Sequence, residues 1–121
     1  MAEEEGAAYQ LVTEAGETLQ KSRGYTGNGT ATYPNGDVYE GAFSDGNRHG
    51  EGTYKYANKG SEENQDTYKG EWDTNQKSGI GKQVYSGVGE YYGYWKNGER
   101  NGEGVMTYTN KDVYSGNWSD G

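Results

Sequence analysis

Polar residues alternate with rings and glycines at period two in four short stretches of this chain. They are Tyr39-Glu40-Gly41-Ala42-Phe43, Tyr68-Lys69-Gly70-Glu71-Trp72, Tyr91-Tyr92-Gly93-Tyr94-Trp95 and Tyr114-Ser115-Gly116-Asn117-Trp118. Such alternation predicts strands whose tyrosine, glycine and second ring share one face. A second series, Gly-x-Gly, falls at Gly27/Gly29, Gly50/Gly52, Gly79/Gly81 and Gly102/Gly104, and Tyr33, Tyr56, Tyr85 and Tyr108 each follow four residues later. The starting tyrosines are spaced 29, 23 and 23 residues apart and the glycine pairs 23, 29 and 23. One 23-residue unit therefore repeats, with a six-residue insertion between Gly52 and Tyr68, placed in the polar stretch over 58–66.

Each unit reads as a hairpin. Tyr-x-Gly-x-Trp is its first strand, and a turn follows at Asp45-Gly46, Thr74-Asn75, Asn97-Gly98 and Asp120-Gly121. These residue types tolerate the positive φ that a tight hairpin turn needs. The second strand is expected to start at Gly-x-Gly and alternate towards its tyrosine, as in Gly52-Thr53-Tyr54-Lys55-Tyr56. A further turn leads into the next unit, Asn35-Gly36 in the first case and the altered Tyr85-Ser86-Gly87-Val88-Gly89 in the third. The glycines leave room for rings to lie flat over the backbone, each unit covering the glycine track of its neighbour. A lone hairpin is marginal at best, so stability is shared between stacked units. The expected architecture is all-β: an elongated, single-layer antiparallel sheet of stacked 23-residue hairpins over 25–121. Residues 1–24 form an acidic lead or a degenerate cap, with Gly16, Thr18 and Gln20 where tyrosine, glycine and tryptophan are due.

Composition shows why rings must make the core. Only 29% of the residues are hydrophobic and the net charge is -8, a balance that elsewhere signals disorder, yet the chain carries 13 Tyr and 3 Trp. Each such ring buries about 150–250 Å² and can replace an aliphatic interior. The 22 glycines against one proline suit reversals built on positive φ. Cysteine is absent, which removes disulfides and thiolate chemistry and tilts the expected compartment towards the cytoplasm. The acidic start, Met1-Ala2-Glu3-Glu4-Glu5, does not read as a signal peptide, so Asn28-Gly29-Thr30 and Asn117-Trp118-Ser119 read as chance glycosylation triplets.

Candidate chemistry is sparse. The single histidine, His49, reads as an exposed loop residue, and Glu51 and Asp45 near it lack metal-ligand spacing. Glu62-Glu63 falls in the inserted loop and reads as solvated. The Gly-x-Gly pairs recur in every unit and no Gly-Lys-Ser/Thr follows them, so they are not phosphate loops. The expectation is therefore no catalytic residues, no cofactor and no metal. Residues 25–121 hold nine Lys/Arg against fourteen Asp/Glu, which speaks against nucleic acid and disfavours a lipid surface. Arg48, Lys77 and Arg100 recur two residues ahead of Gly50, Gly79 and Gly102 and are expected to line one edge as a basic stripe. Tyr92 and Tyr94 flank Gly93 where other units carry Glu40/Ala42, Lys69/Glu71 and Ser115/Asn117. They put two rings on the opposite surface and are candidate partner contacts, because tyrosine is enriched in binding hot spots.

Tyr-x-Gly-x-Trp, then Asp/Asn-Gly, Gly-x-Gly and tyrosine at 23-residue spacing, resembles the MORN (membrane occupation and recognition nexus) repeat over about 25–121. The resemblance implies a twisted single-layer sheet and a scaffold or tether that binds other proteins of a cytoskeletal assembly. A ciliary axoneme, such as a radial-spoke head, is the first location it suggests. It leaves two alternatives: a phosphoinositide-binding membrane tether, or the regulatory array of a larger lipid kinase or methyltransferase. The strand ending at Trp118 leaves self-association open.

Overall fold

The computed structural model describes residues 10–57 and 65–119. Expectations that fall on the acidic start over 1–9, on most of the inserted loop including Glu62-Glu63, and on the Asp120-Gly121 turn lie outside them. The described residues form ten strands and no helix. In chain order these are β1 Gln10–Thr13, β2 Thr18–Leu19, β3 Gly27–Thr32, β4 Val38–Ser44, β5 Asn47–Lys55, β6 Thr67–Asp73, β7 Gln76–Tyr85, β8 Gly89–Lys96, β9 Glu99–Tyr108 and β10 Val113–Trp118. All belong to one open sheet ordered β10-β9-β8-β7-β6-β5-β4-β3-β1-β2, and every pairing is antiparallel. From β3 onward, order in space is order in sequence.

The register is set by glycine facing glycine. Gly29 lies opposite Gly41, Gly41 opposite Gly52, Gly52 opposite Gly70, and so on through Gly70/Gly81, Gly81/Gly93, Gly93/Gly104 and Gly104/Gly116. Two Cβ atoms could not share these sites. A methyl on Gly29 would come within 2.9 Å of the Val12 carbonyl, and one on Gly41 within 2.6 Å of the Glu51 carbonyl. The track is a floor, and the tyrosines lie on it.

At the hairpin turns both central residues sit at positive φ: Asp45 and Gly46 at 51° and 86°, Thr74 and Asn75 at 48° and 71°, Asn97 and Gly98 at 52° and 86°. That is the type I′ pair whose twist matches the flanking strands. Thr74 is the strained member, since a branched Cβ seldom accepts this region. Adjacent turns are tied together along one margin. The amides of Gly46, Asn75 and Gly98 donate to the carbonyls of Tyr25, Arg48 and Lys77, one unit back, at 2.8, 2.9 and 3.1 Å.

The second strands begin earlier than the glycine pairs imply. β5, β7 and β9 start at Asn47, Gln76 and Glu99, directly after the turn, and pair there before reaching Gly50, Gly79 and Gly102. Between them lies a bulge. Gly41 to Phe43 is two residues, whereas their partners Gly52 and Arg48 are four apart, so β5 carries two extra. The first glycine of each pair absorbs this at positive φ, 98° at Gly50.

At the N-terminal end β1 pairs with β3, Leu11 opposite Ala31, and both side chains are fully buried. The segment 16–20 does not sit beside β3. Gly16 lies in the β1–β2 turn, and Thr18 and Leu19 pair on the outer side of β1.

Candidate functional site

The ring face is a continuous herringbone. Phe43, Tyr39, Trp72, Tyr68, Trp95, Tyr91, Trp118 and Tyr114 meet edge to face in that order, with centroids 5.0–5.5 Å apart and planes at 81–89°. This is the arrangement the ring quadrupole favours. Tyr39, Tyr68 and Tyr91 each lie flat along their own strand, over the glycine two residues on, and each hydroxyl donates to the carbonyl three residues on. The bonds are Tyr39 to Ala42 at 2.8 Å, Tyr68 to Glu71 at 2.9 Å and Tyr91 to Tyr94 at 3.0 Å. The same ring covers the glycine across its hairpin, so a Cβ at Gly52, Gly81 or Gly104 would fall on Tyr39, Tyr68 or Tyr91.

This corrects the expected tiling. Tyrosines cover the glycines of their own unit, and the tryptophans bridge to the neighbour. The indole of Trp72 donates to the Gly52 carbonyl at 3.2 Å and that of Trp95 to Gly81 at 3.1 Å. Burial holds the hydroxyls of Tyr39 and Tyr68 protonated well above the ordinary phenol range. Tyr54 behaves likewise, its burial reinforced by its hydrogen bond to the Asp37 carboxylate at 2.7 Å.

Arg48, Lys77 and Arg100 do not form an exposed basic stripe. Each pairs across its hairpin with Phe43, Trp72 or Trp95 and turns onto the ring face, half-buried. The Arg48 guanidinium carbon lies 5.0 Å from the Trp72 centroid, 5.2 Å from Tyr54, 5.5 Å from Tyr33 and 6.0 Å from Tyr39. It also donates to the Tyr33 hydroxyl at 2.8 Å and the Asn75 carbonyl at 3.1 Å. Lys77 Nζ sits 5.0–5.3 Å from Trp95, Tyr68 and Tyr56 and donates to Gln83 Oε1 at 2.6 Å. Arg100 lies 4.4 Å from Trp118 and 5.7 Å from Tyr85 and Tyr91. Every cation therefore touches a ring from the preceding unit, one from its own and one from the next, within reach of a cation–π attraction. Burial, with the nearby Arg48 charge adding to it, pulls the Lys77 ammonium down to about 8, and Asp66 opposes the shift. The sequence already held the signal for this placement. Each cation precedes the second glycine of its pair by four residues, an even number, and because the bulge between them adds two residues that parity still places the cation on the ring face.

Asp37 and Asp66, which the sequence reading passed over, are the second structural set. The Asp37 carboxylate is buried and accepts from the Tyr54 hydroxyl, the Ala57 amide at 2.6 Å and Asn35 Nδ2 at 3.2 Å. Asp66 accepts the Ser86 amide at 2.6 Å. Each stands two residues before its unit's tyrosine and fastens the loop that leaves the same unit. His49 is exposed, accepts from the Thr74 amide at 3.3 Å and lies 3.6 Å from the Asp73 carboxylate. Among the described residues no cluster of three or more His, Cys, Asp or Glu side chains could hold a metal ion.

The opposite face differs along its length. Over β4–β6 it carries Glu40, Glu51, Thr53, Lys69 and Glu71. On β7–β9 it carries Tyr92 and Tyr94, 58% and 48% exposed, with Ile80 paired to Tyr94 and Val105 paired to Tyr92. These four line a shallow depression of about 500 Å³ together with Glu103 and Asn117. Ile80 and Val105 were not singled out from the sequence. The clue was there: Ile80 sits between two glycines where the other units have Asn28, Glu51 and Glu103.

The geometry explains the comparisons with known proteins. No curated protein matches the chain. The MORN repeat profile matches over 20–38, 39–61, 68–87 and 91–113, most of the chain, and three of these segments open on Tyr39, Tyr68 and Tyr91, the tyrosines that lie on the glycine floor. The chain belongs to the MORN repeat family.

Proposed function

We propose that the chain is a non-catalytic scaffold that binds another protein of a cytoskeletal assembly through the outer-face patch around Tyr92 and Tyr94. The carrying observation is that these two rings are exposed where the other units carry Glu40/Ala42, Lys69/Glu71 and Ser115/Asn117, none of them aromatic. The fold does not need them, since the herringbone runs entirely on the other side. Rings of low side-chain entropy with apolar neighbours are the usual anchors of a protein interface. Glu103 and Asn117 at the margin supply acceptors and an amide for orientation.

Family resemblance extends the proposal to a ciliary axoneme of the radial-spoke kind, and so to the cytoplasm and its cytoskeleton. A lipid tether has less support, because the three recurrent cations are enclosed by rings rather than presented to a charged surface. Affinity capture from solubilised axonemes tests the reading, using the chain and its Tyr92→Ser/Tyr94→Ser variant as bait. The expected result is a discrete axonemal protein retained by the first and lost by the second. Equal retention by both removes the patch, and recovery of acidic vesicles in place of protein favours the tether.

A further inference from the structure

Tyr54 is a ring that the repeat does not ask for. Two residues after the second glycine of each pair, the chain reads Ala31, Tyr54, Gln83 and Met106. Tyr54 lies opposite Tyr39 on one side and Tyr68 on the other, half-buried on the ring face. Its centroid is 5.8 Å from that of Trp72, which makes it a branch of the herringbone. Starting at Trp118, the rings follow as Tyr91, Trp95, Tyr68, Trp72 and Tyr54, and no step between centroids exceeds 5.8 Å. Tyr54 also differs in what its hydroxyl meets. Tyr39, Tyr68 and Tyr91 donate to backbone carbonyls, which are very weak bases. Tyr54 donates to the buried Asp37 carboxylate at 2.7 Å.

Tyrosine and tryptophan are, after cysteine, the side chains that most readily lose one electron, and this chain has no cysteine. An oxidised phenol is a strong acid, so a tyrosine gives up its electron easily only where a base takes its proton. The indoles carry a handicap of their own. Arg48, Lys77 and Arg100 stand 5.0, 5.0 and 4.4 Å from the rings of Trp72, Trp95 and Trp118, and each cation opposes a positive charge on its indole. We infer that the ring face relays one-electron oxidation to Tyr54, where Asp37 receives the phenolic proton. A one-electron oxidant radical from solution takes an electron from an indole and leaves its radical cation. Tyr54 then passes an electron along the rings to that indole and its proton to Asp37 Oδ2. The products are a restored indole, a neutral Tyr54 phenoxyl, a protonated Asp37 and an oxidant reduced by one electron. Arg48 also lies 5.2 Å from Tyr54, but a phenoxyl that has lost its proton carries no charge for the cation to oppose.

Fastening the loop does not by itself call for a phenol. Asp37 accepts the Ala57 amide and Asp66, at the matching place in the next unit, accepts the Ser86 amide in the same way, with Gln83 standing where Tyr54 does. The bond to Tyr54 is an addition to that shared contact. Nor does the outer-face patch enter, since Tyr92 and Tyr94 lie on the other side of the sheet.

Pulse radiolysis of the full chain at neutral pH with the azide radical, which oxidises indole in preference to phenol, tests the inference. The tryptophan radical and the tyrosine phenoxyl absorb at separate wavelengths, so transfer between them can be timed. The expected trace is decay of the first into the second at a rate independent of protein concentration and slower in heavy water. Tyr54→Phe keeps the ring and should abolish that phase. Asp37→Asn keeps an acceptor for the Ala57 amide but not the base, and should slow the phase about a hundredfold, the lower range for a positioned proton acceptor. Tyr92→Ser with Tyr94→Ser should leave it unchanged. If Asp37→Asn does not fold, the Tyr54→Phe trace and the heavy-water effect decide alone. The inference is overturned by phenoxyl that forms as fast in Tyr54→Phe, by an unchanged rate in folded Asp37→Asn, by a rate proportional to protein concentration, or by loss of the phase in the outer-face variant.

Discussion

On β8, residues one position apart sit in different surroundings. Tyr91 and Trp95 are 0% and 6% exposed, while Tyr92 and Tyr94, interleaved with them, are 58% and 48% exposed. The chemistry of the four side chains is nearly the same; only the face differs. On the ring face Tyr91 has the Gly93 and Gly104 floor beneath it, the Tyr94 carbonyl for its hydroxyl, and Trp95 and Trp118 at its edges. On the outer face a tyrosine has a neighbouring strand and water. A single-layer sheet with a ring core therefore places its stabilising rings on one surface, so substitutions on the outer face are expected to cost little stability.

The largest test of this division compares one substitution on adjacent residues. Gly81→Val places a branched side chain where the Tyr68 ring lies, against backbone on the facing strand. Neither can move without breaking the Tyr68–Glu71 hydrogen bond and the edge contacts to Trp72 and Trp95. A loss of about 3 kcal/mol or more is expected, enough to unfold much of a small repeat domain. Lys82→Val, one residue on, faces outward and gives up a surface ion pair to Glu90 at 3.2 Å. Its effect should stay within about 0.5 kcal/mol. Urea midpoints of the two variants measure the difference, and similar midpoints would mean that the glycine floor is not what fixes the ring face.

Much of this division could be read without coordinates. Period-two alternation put Tyr39, Gly41 and Phe43 on one side, and the 23-residue spacing identified the hairpins, because both follow from backbone geometry that every unit repeats. Three things did not follow. The bulges at Gly50, Gly79 and Gly102 depend on how two strands pair, and a one-dimensional pattern holds no pairing. The cations were assigned to the margin because they lie near turns; their parity pointed to the rings, but charged residues are ordinarily left in water. The segment ahead of β3 departs from the repeat, so the pattern could not say that β1 rather than residues 16–20 lies beside β3. The outer patch was half legible: Tyr92 and Tyr94 stood out as excess rings, whereas Ile80 and Val105 join them only once β7, β8 and β9 are side by side.

A smaller effect is expected from pH, and it reports on the ring face alone. Lys77 ionises at about 8 in the folded chain against 10.5 for the free side chain. Below pH 8 it is charged in both states, and its partial burial costs stability. Between about 8 and 10 the folded chain gives up the proton while the unfolded chain keeps it, so stability rises with pH. The buried tyrosines act the other way, since their folded ionisation is raised above the ordinary 10.0. Their contribution is fully present below pH 10 and is lost above it, as the unfolded phenols ionise first. The profile should therefore climb by about 1 kcal/mol from pH 8, a figure reduced for the part of Lys77 still open to water, and turn over near pH 10. Lys77→Met should abolish the climb and leave the fall. A climb that survives the substitution assigns it to another group.

The smallest expected effect is the most informative about the outer face. Tyr92→Ser with Tyr94→Ser removes two rings, and if burial alone mattered, two lost tyrosines would cost several kcal/mol. Here about half of each residue's surface is already in water, neither hydroxyl bonds another of the described residues, and the two rings pair across the sheet with Val105, Lys82 and Ile80. The change in the urea midpoint should correspond to less than about 1 kcal/mol, the upper range of what cross-strand pairs supply. The paired control is Tyr91→Phe, which keeps the fully buried ring but deletes a hydroxyl that bonds the Tyr94 carbonyl. That single oxygen should cost about 1 kcal/mol, the loss of one part-buried hydrogen bond. If removing two entire outer rings destabilises the chain more than removing one inner oxygen, the outer face is part of the fold and its exposed tyrosines are not held in reserve for a partner.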